Sequence, residues 1–198
     1  MATVVVPFRS TDPKHRLEGL GADARRTLAH AMLADVLAAA TQVGRVLVVA
    51  PQVPELPRGV HHVADPRRGQ GAAVRAALDA AVAAGSPAPF LVVNADLPCV
   101  DARDLLALAG GVPEGGLALV AAADGTTNAL ALSAADRFRP VYGAGSADRF
   151  AALAPSRRLD VPNLVDDVDT LDDVARLRDR LGQHTRRALD VLDLQSAA

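Results

Sequence analysis

The stretch VVVPFRSTDPKHRL, residues 4–17, is the starting point for interpreting the whole chain. Its three β-branched valines predict a buried strand. Pro7 then ends the strand ladder, and a polar loop containing Lys14 and Arg16 follows. Ligands of open parallel sheets bind beyond the carboxyl ends of the strands, so this loop is a candidate binding element.

Lys14 is unusual in this composition, because the other twenty of the 21 basic residues are arginine. A lysine ammonium is compact and mobile, whereas a guanidinium is planar and rigid. A ligand that needs a compact cation would account for this lysine. A solvated loop lysine without a ligand is the alternative.

Apolar segments of two periodicities alternate along the chain and predict an α/β domain. Strands are predicted at 4–6, 45–50, 60–63, 90–95, 117–122 and 128–132, and helices at 24–40, 72–84, 102–108, 147–153 and 171–181. Asp23, Asp101, Ser146 and Thr170 are the predicted N-caps. We expect one three-layer domain over residues 1–198 with a mostly parallel sheet, and a tail or short helix over 182–198.

The composition excludes several classes of function. A net charge of −2 argues against nucleic-acid or membrane partners recognised by bulk charge, and no tryptophan is present for base stacking. No apolar run reaches the roughly 18 to 20 residues that span a bilayer, and no basic leader precedes the first strand. A single cysteine, Cys99, excludes an internal disulfide. We therefore expect a cytoplasmic protein.

The aspartates of the segment DDVD, residues 166–169, suggest a cation site. In an extended backbone Asp167 and Asp169 point to the same side and can share one ion. Asp96, at the end of a predicted strand, is a candidate third ligand. Mg²⁺ prefers carboxylates together with phosphate oxygens and water. The alternative is that the aspartates near this helix start serve only its positive end.

Three glycine turns are further candidates for ligand binding, the second and third of them for an anion. The turn Gly69-Gln70-Gly71 opens a predicted helix, Gly125 to Asn128 offers N–H groups and hydroxyls, and Gly143 to Ser146 precedes another helix. Small polar turns without ligands are at least as common. Neither a P-loop nor a dinucleotide-binding fingerprint is present, because the required glycines are missing.

In order along the chain, these motifs resemble those of one known family. The motifs are Val6-Pro7, K-x-R-L (14–17), a Met-Leu helix (31–37), G-Q-G (69–71), A-D-L-P (95–98), G-x-T-N-A-L (125–130), Y-G-A-G-S (142–146) and D-V-D-T (167–170). The set is similar to the 2-phospho-L-lactate or phosphoenolpyruvate guanylyltransferases (CofC/FbiD) of coenzyme F-420 biosynthesis. The resemblance extends from Val4 to Leu181.

The resemblance implies a nucleotidyltransferase fold of the nucleotide-diphospho-sugar transferase type. It also implies GTP as donor, a small phosphorylated carboxylic acid as acceptor, and pyrophosphate as a product. The next enzyme of that pathway is a candidate partner. The implied site residues are Lys14 and Arg16 for catalysis and the triphosphate, Pro7, Gly69 and Gly71 for the nucleotide, Thr127, Gly143 and Ser146 for the acceptor, and Asp96, Asp167 and Asp169 for Mg²⁺.

Three residues depart from the family pattern. Phe150 stands where a histidine is frequent, Ala73 where an asparagine is frequent, and Leu171 where a proline is expected. Two alternatives stay open, and Phe150 and Ala73 support the second of them. One is a nucleotidyltransferase of the same fold with another NTP and acceptor, such as a sugar phosphate or molybdopterin. The other is a non-catalytic subunit that binds a nucleotide.

Overall fold

Seven strands form one sheet in the computed structural model, which describes residues 1–9, 17 and 19–192. The strands are β1 (Ala2–Pro7), β2 (Gly44–Ala50), β3 (Val60–Ala64), β4 (Phe90–Val93), β5 (Leu117–Ala121), β6 (Thr127–Leu132) and β7 (Ser156–Arg158). Their order across the sheet is β3-β2-β1-β4-β6-β5-β7. Only β6 runs antiparallel to its neighbours, which are β4 and β5. The predicted α/β class with a mostly parallel mixed sheet is confirmed.

Helices cover both faces of this sheet. They are α1 (Ala22–Ala40), α2 (Gln70–Ala83), α3 (Ala102–Gly110), α4 (Ser146–Ala151), α5 (Pro162–Val165), α6 (Leu171–Leu177) and α7 (Gln183–Val191). Successive side chains of β1 point to opposite faces, so Val4 and Val6 pack with α1 and α3 while Val5 packs with α2 and α4. Helices α5, α6 and α7 complete the first of these two layers. The arrangement has the three predicted layers.

The N-caps are the main point on which the helix predictions are partly wrong. Asp101 and Thr170 both form capping boxes, as predicted. Gly21, however, is the cap of α1, and Asp23 lies in the first turn. Gly145 precedes α4 in a left-handed conformation with φ of 68°, which glycine adopts without strain. Ser146 is therefore the first helical residue and uses its hydroxyl elsewhere.

Several boundaries and two short elements also differ from the prediction. Strand β4 ends at Val93 rather than residue 95, α2 begins at Gln70 rather than residue 72, and α6 ends at Leu177 rather than residue 181. The short elements β7 and α5 were not predicted. The predicted short C-terminal helix is present as α7.

Asp35 connects the C-terminal helix to the rest of the molecule. This buried carboxylate on α1 accepts hydrogen bonds from the backbone N–H groups of His184, at 2.9 Å, and Thr185, at 2.8 Å. It thereby caps α7 from a position distant in sequence. Gly182 fits here because a Cβ atom would lie 2.2 Å from the Asp35 carboxyl carbon.

Replacing Asp35 with alanine should destabilise the fold by about 1–3 kcal/mol, because two N–H groups of α7 lose their acceptor. The free energy of unfolding in urea measures this effect. Asp23→Ala on the same helix is the matched control, since that side chain is 98% exposed and should change stability by less than about 0.5 kcal/mol. Equal unfolding midpoints for the two variants would contradict the prediction.

Candidate active site

A cleft lies beyond the carboxyl ends of β1, β2 and β4. Its volume is about 310 Å³, and Pro7 at the end of β1 is part of its wall. The polar groups that line it are the side chains of Arg9, Asp65, Gln70, Asn94 and Asp96. This is the edge at which open parallel sheets bind ligands, so the cleft is the candidate site for a small molecule.

Three carboxylates meet beside this cleft. Asp96, Asp167 and Asp169 each offer an oxygen, and these oxygens all lie within 4.8 Å of one another. Each of the three residues is half-buried. Like charges this close repel one another, and a divalent cation would relieve the repulsion. The oxygen-only donor set fits a hard cation such as Mg²⁺.

One backbone hydrogen bond and one side-chain hydrogen bond hold the acidic segment next to β4 and β6. The N–H of Val168, which lies between Asp167 and Asp169, donates to the carbonyl of Asp96 at 3.0 Å. Asn128 on β6 donates to the carbonyl of Val165 at 3.0 Å, just before the segment begins. Val168 itself is fully buried and anchors the segment in the core.

Arginines on and after α6 hold the start of the acidic segment. Arg176 donates to Asp166 at 2.6 Å, and Arg180 pairs with the second oxygen of the same carboxylate. Burial alone would raise the pKa of Asp166, but the hydrogen bonds from Arg180 and Arg176 outweigh it and keep this pKa below its ordinary value. Asp166 is therefore a structural anchor, while Asp167 and Asp169 belong to the carboxylate cluster.

A chain of side-chain amides runs from the cleft to the acidic segment. Gln70, the first residue of α2, donates to Asn94 at 3.0 Å. Asn94 is 3.4 Å from both the Asn128 side-chain oxygen and the Thr127 carbonyl. The chain joins α2, β4 and β6, which belong to distant parts of the sequence. Sequence reasoning missed it, because single amides in separate segments give no spacing signal.

Asp65 is a second polar residue that the sequence interpretation overlooked. It directly follows β3, and its buried carboxylate accepts the N–H of Arg67 at 2.7 Å. Arg9 approaches the other oxygen at 3.5 Å. A strand end at the same edge as Asp96 was the signal that could have identified it.

The glycines predicted to bind the nucleotide have different surroundings. Gly69 caps α2 with φ of 93°, and apart from its two chain neighbours no atom of the described residues lies within 4 Å of the position of an added Cβ. At Gly71, in contrast, an added Cβ would be 2.5 Å from the Cβ of Pro140, so close packing is one reason for glycine there.

Lys14 and Arg16, which were predicted to bind the triphosphate, lie outside the described residues.

The residues predicted to bind the acceptor lie together at a junction of two loops. The hydroxyls of Thr127 and Ser146 are 3.0 Å apart and both residues are buried. The N–H of Ala147 donates to the carbonyl of Gly125 at 3.2 Å, which joins the two loops. Gly143 is exposed, with φ of 107°. The Asn94 contact to the Thr127 carbonyl connects this junction to the cleft.

The three residues that depart from the family pattern are all placed by the structure. Phe150 is fully buried and stacks edge-to-face on Tyr142, with ring centroids 5.1 Å apart. Ala73 is buried in the wall of the cleft, and Leu171 begins α6 behind the Thr170 cap. Phe150 thus has a packing role in the layer formed by α2 and α4.

Cys99 should react slowly as a nucleophile. Burial of its thiol raises the pKa from 9.0 to about 11, so the thiolate is scarce at neutral pH. We expect iodoacetamide at pH 8 to modify the native protein about 10²-fold more slowly than the protein in denaturant. Quenched mass spectrometry follows the single cysteine directly. Equal rates in the two states would contradict this prediction.

The chain matches the MobA-like NTP transferase domain over residues 24–186. It is 38% identical to a phosphoenolpyruvate guanylyltransferase of Sphaerobacter thermophilus, covering 89% of this chain and 93% of that protein. It is 37% identical to a 2-phospho-L-lactate guanylyltransferase of Halomicrobium mukohataei, covering 96% and 90% of the two chains.

Solved structures show the same fold. One from Desulfovibrio desulfuricans G20, assigned to the nucleotide-diphospho-sugar transferases, superposes with a TM-score of 0.73 at 17% identity, over 98% of this chain and 97% of that one. This likeness confirms the predicted fold type. The family match and the identities above show that the chain contains a MobA-like NTP transferase domain and belongs to the phosphoenolpyruvate/2-phospho-L-lactate guanylyltransferase family.

Proposed function

We propose that this protein transfers GMP from GTP to phosphoenolpyruvate or 2-phospho-L-lactate and releases pyrophosphate, with Mg²⁺ as cofactor. The observation that carries the proposal is the cluster of Asp96, Asp167 and Asp169 beside a cleft at the ends of parallel strands. Relatives of 34–38% identity bear the names of these two guanylyltransferases.

The reaction needs a positioned acceptor and charge neutralisation rather than a general base. An oxygen of the acceptor phosphate, already ionised near pH 7, attacks the α-phosphorus of GTP. The bond from the α-phosphorus to the bridging oxygen breaks, and pyrophosphate leaves with that electron pair. In-line positioning and electrostatic stabilisation supply the rate enhancement of such transfers. The described residues accordingly include no cysteine–histidine pair at the cleft.

Each group of residues has a part in this scheme. Asp96, Asp167 and Asp169 would hold Mg²⁺, which when bound supplies positive charge to the phosphate oxygens. Lys14 and Arg16 would neutralise the triphosphate, as the family resemblance implies. Pro7, Gly69 and Gly71 would contact the nucleotide, and Thr127, Gly143 and Ser146 would contact the acceptor.

The decisive experiment supplies GTP, ATP or CTP with Mg²⁺ and one acceptor at a time, and measures pyrophosphate release. Phosphoenolpyruvate, 2-phospho-L-lactate and a sugar phosphate are the acceptors to compare. We expect turnover only with GTP and one of the phospho-acids, and ³¹P NMR should show a new diphosphate. Turnover with a sugar phosphate alone would select another transferase of this fold. Tight GTP binding without any turnover would select a non-catalytic role.

The expected cellular setting follows from this activity. A guanylylated phospho-acid is an activated intermediate, so a second transferase must consume it, and we propose coenzyme F-420 biosynthesis as the pathway. The enzyme of that next step is a candidate partner, and we propose a cytoplasmic location. No helix within residues 1–9, 17 and 19–192 is long and apolar enough to cross a membrane.

A further inference from the structure

The side chain of Arg149 on α4 is hydrogen-bonded to the loop formed by residues 141–145. Its Nε donates to the carbonyl of Val141 at 3.1 Å, and one terminal nitrogen donates to the same carbonyl at 3.0 Å and to that of Tyr142 at 3.1 Å. The other terminal nitrogen donates to the carbonyl of Ala144 at 2.6 Å. Four of its five N–H donors are thus engaged by three loop carbonyls, and the bonds are charge-assisted.

These bonds fix the orientation of the loop peptides. In a trans peptide the C=O and the following N–H point in opposite directions. Because the carbonyls of Tyr142 and Ala144 face the guanidinium, the N–H groups of Gly143 and Gly145 point away from it. Within the part of the chain that the structure describes, neither of these N–H groups has a hydrogen-bond acceptor.

The loop is also fixed at its far end, next to the residues assigned to the acceptor. The N–H of Ser146 donates to the carbonyl of Gly143 at 2.9 Å, and the Ser146 hydroxyl contacts that of Thr127. Gly143 and Gly145 both have positive φ, of 107° and 68°. Such angles strain other residues, so the loop shape requires both glycines.

We propose that Arg149 is a positioning residue that aims the N–H groups of Gly143 and Gly145 at an anionic group of the acceptor. The inference rests on the proposed function, which places the acceptor at Thr127, Gly143 and Ser146. Arg149 acts through the loop and does not touch the acceptor, since its donors are directed to the carbonyls. Two backbone N–H groups that face away from the guanidinium and have no acceptor among the described residues suit the carboxylate that both proposed acceptors share.

The test compares Arg149→Ala and Arg149→Lys with the wild-type protein in steady-state assays. We expect Arg149→Ala to raise the KM of the acceptor about 10- to 100-fold while the KM of GTP changes less than about twofold. Arg149→Lys keeps the charge and one or two of the bonds, so its acceptor KM should be intermediate. Arg157→Ala is the matched control: Arg157 is an exposed arginine of β7, and its loss should change neither KM.

An unchanged acceptor KM in a folded Arg149→Ala variant would overturn the inference, as would an equal rise in both KM values. Thermal unfolding shows whether the variants are folded. If Arg149→Ala does not fold, Arg149→Lys decides, and an unchanged acceptor KM there would also overturn it. Failure of the proposed function is distinguishable, because then the wild-type protein would transfer GMP to neither phospho-acid.

Discussion

Asp96→Asn should lower kcat/KM for guanylyl transfer about 10²- to 10³-fold. Asparagine keeps the size of the side chain and leaves the backbone bond from Val168 in place, but it removes one of the three charges of the cluster. The magnitude is set by analogy with removing one preorganised oxyanion-hole donor, which costs about 10²- to 10³-fold in rate. The lost carboxylate should also weaken cation binding, so a higher Mg²⁺ concentration should restore part of the rate.

Two measurements test the Asp96 prediction independently. Pyrophosphate release over a range of Mg²⁺ concentrations gives the rate, and Mn²⁺ binding followed by electron paramagnetic resonance without GTP gives the cation affinity. Asp172→Asn is the matched control, because Asp172 is an exposed aspartate of the first turn of α6 outside the cluster. If Asp96→Asn kept the wild-type rate and the wild-type Mn²⁺ affinity, the proposed metal-binding role of this cluster would be contradicted.

Lys14→Ala should lower kcat/KM for GTP by a similar factor, about 10²- to 10³-fold. The triphosphate and the leaving pyrophosphate are highly charged, and the acidic cluster adds negative charge to the same site. A lysine ammonium at position 14 would offset that charge. This role rests on the sequence and the family resemblance, since Lys14 lies outside the described residues.

The control for the lysine is its neighbour in the K-x-R-L motif. His15→Ala changes the adjacent residue without removing a permanent charge and should retain activity within a fewfold. Lys14→Arg restores the charge with a different shape and should recover part of the rate. Steady-state kinetics with GTP varied measures all three variants. Full activity of Lys14→Ala would show that the triphosphate is neutralised by other residues.

The sequence predicted the fold well wherever apolar periodicity was strong. Valine-rich strands such as β1 and β2, and the long helix α1, have a buried side that repeats at a fixed interval. The missed strand β7 has the sequence Ser-Arg-Arg and is exposed throughout, so it has no apolar side to detect. Helix α5 has four residues, which is too short for a periodic signal.

The candidate site was predictable only where neighbours in sequence or strand ends carried the information. Asp167 and Asp169 stand two apart and Asp96 follows a strand, and the structure brings these three together. The amide chain joins residues separated by 24 and 34 positions, and nothing local marks such pairs. Arg149 was missed for a related reason, because its partners are loop carbonyls, which any residue type can supply.

The hydrogen bond between Val168 and Asp96 bears on when, during synthesis and folding, the carboxylate cluster is complete. The cluster includes Asp96 and Asp169, which are 73 positions apart in the sequence. A chain emerging from the ribosome can pair β1, β2, β3 and β4 in parallel well before the acidic segment is synthesised. Closing the long loop to Val168 comes late, since distant contacts form slowly. Cation binding should therefore appear only after the segment around Val168 has docked against Asp96.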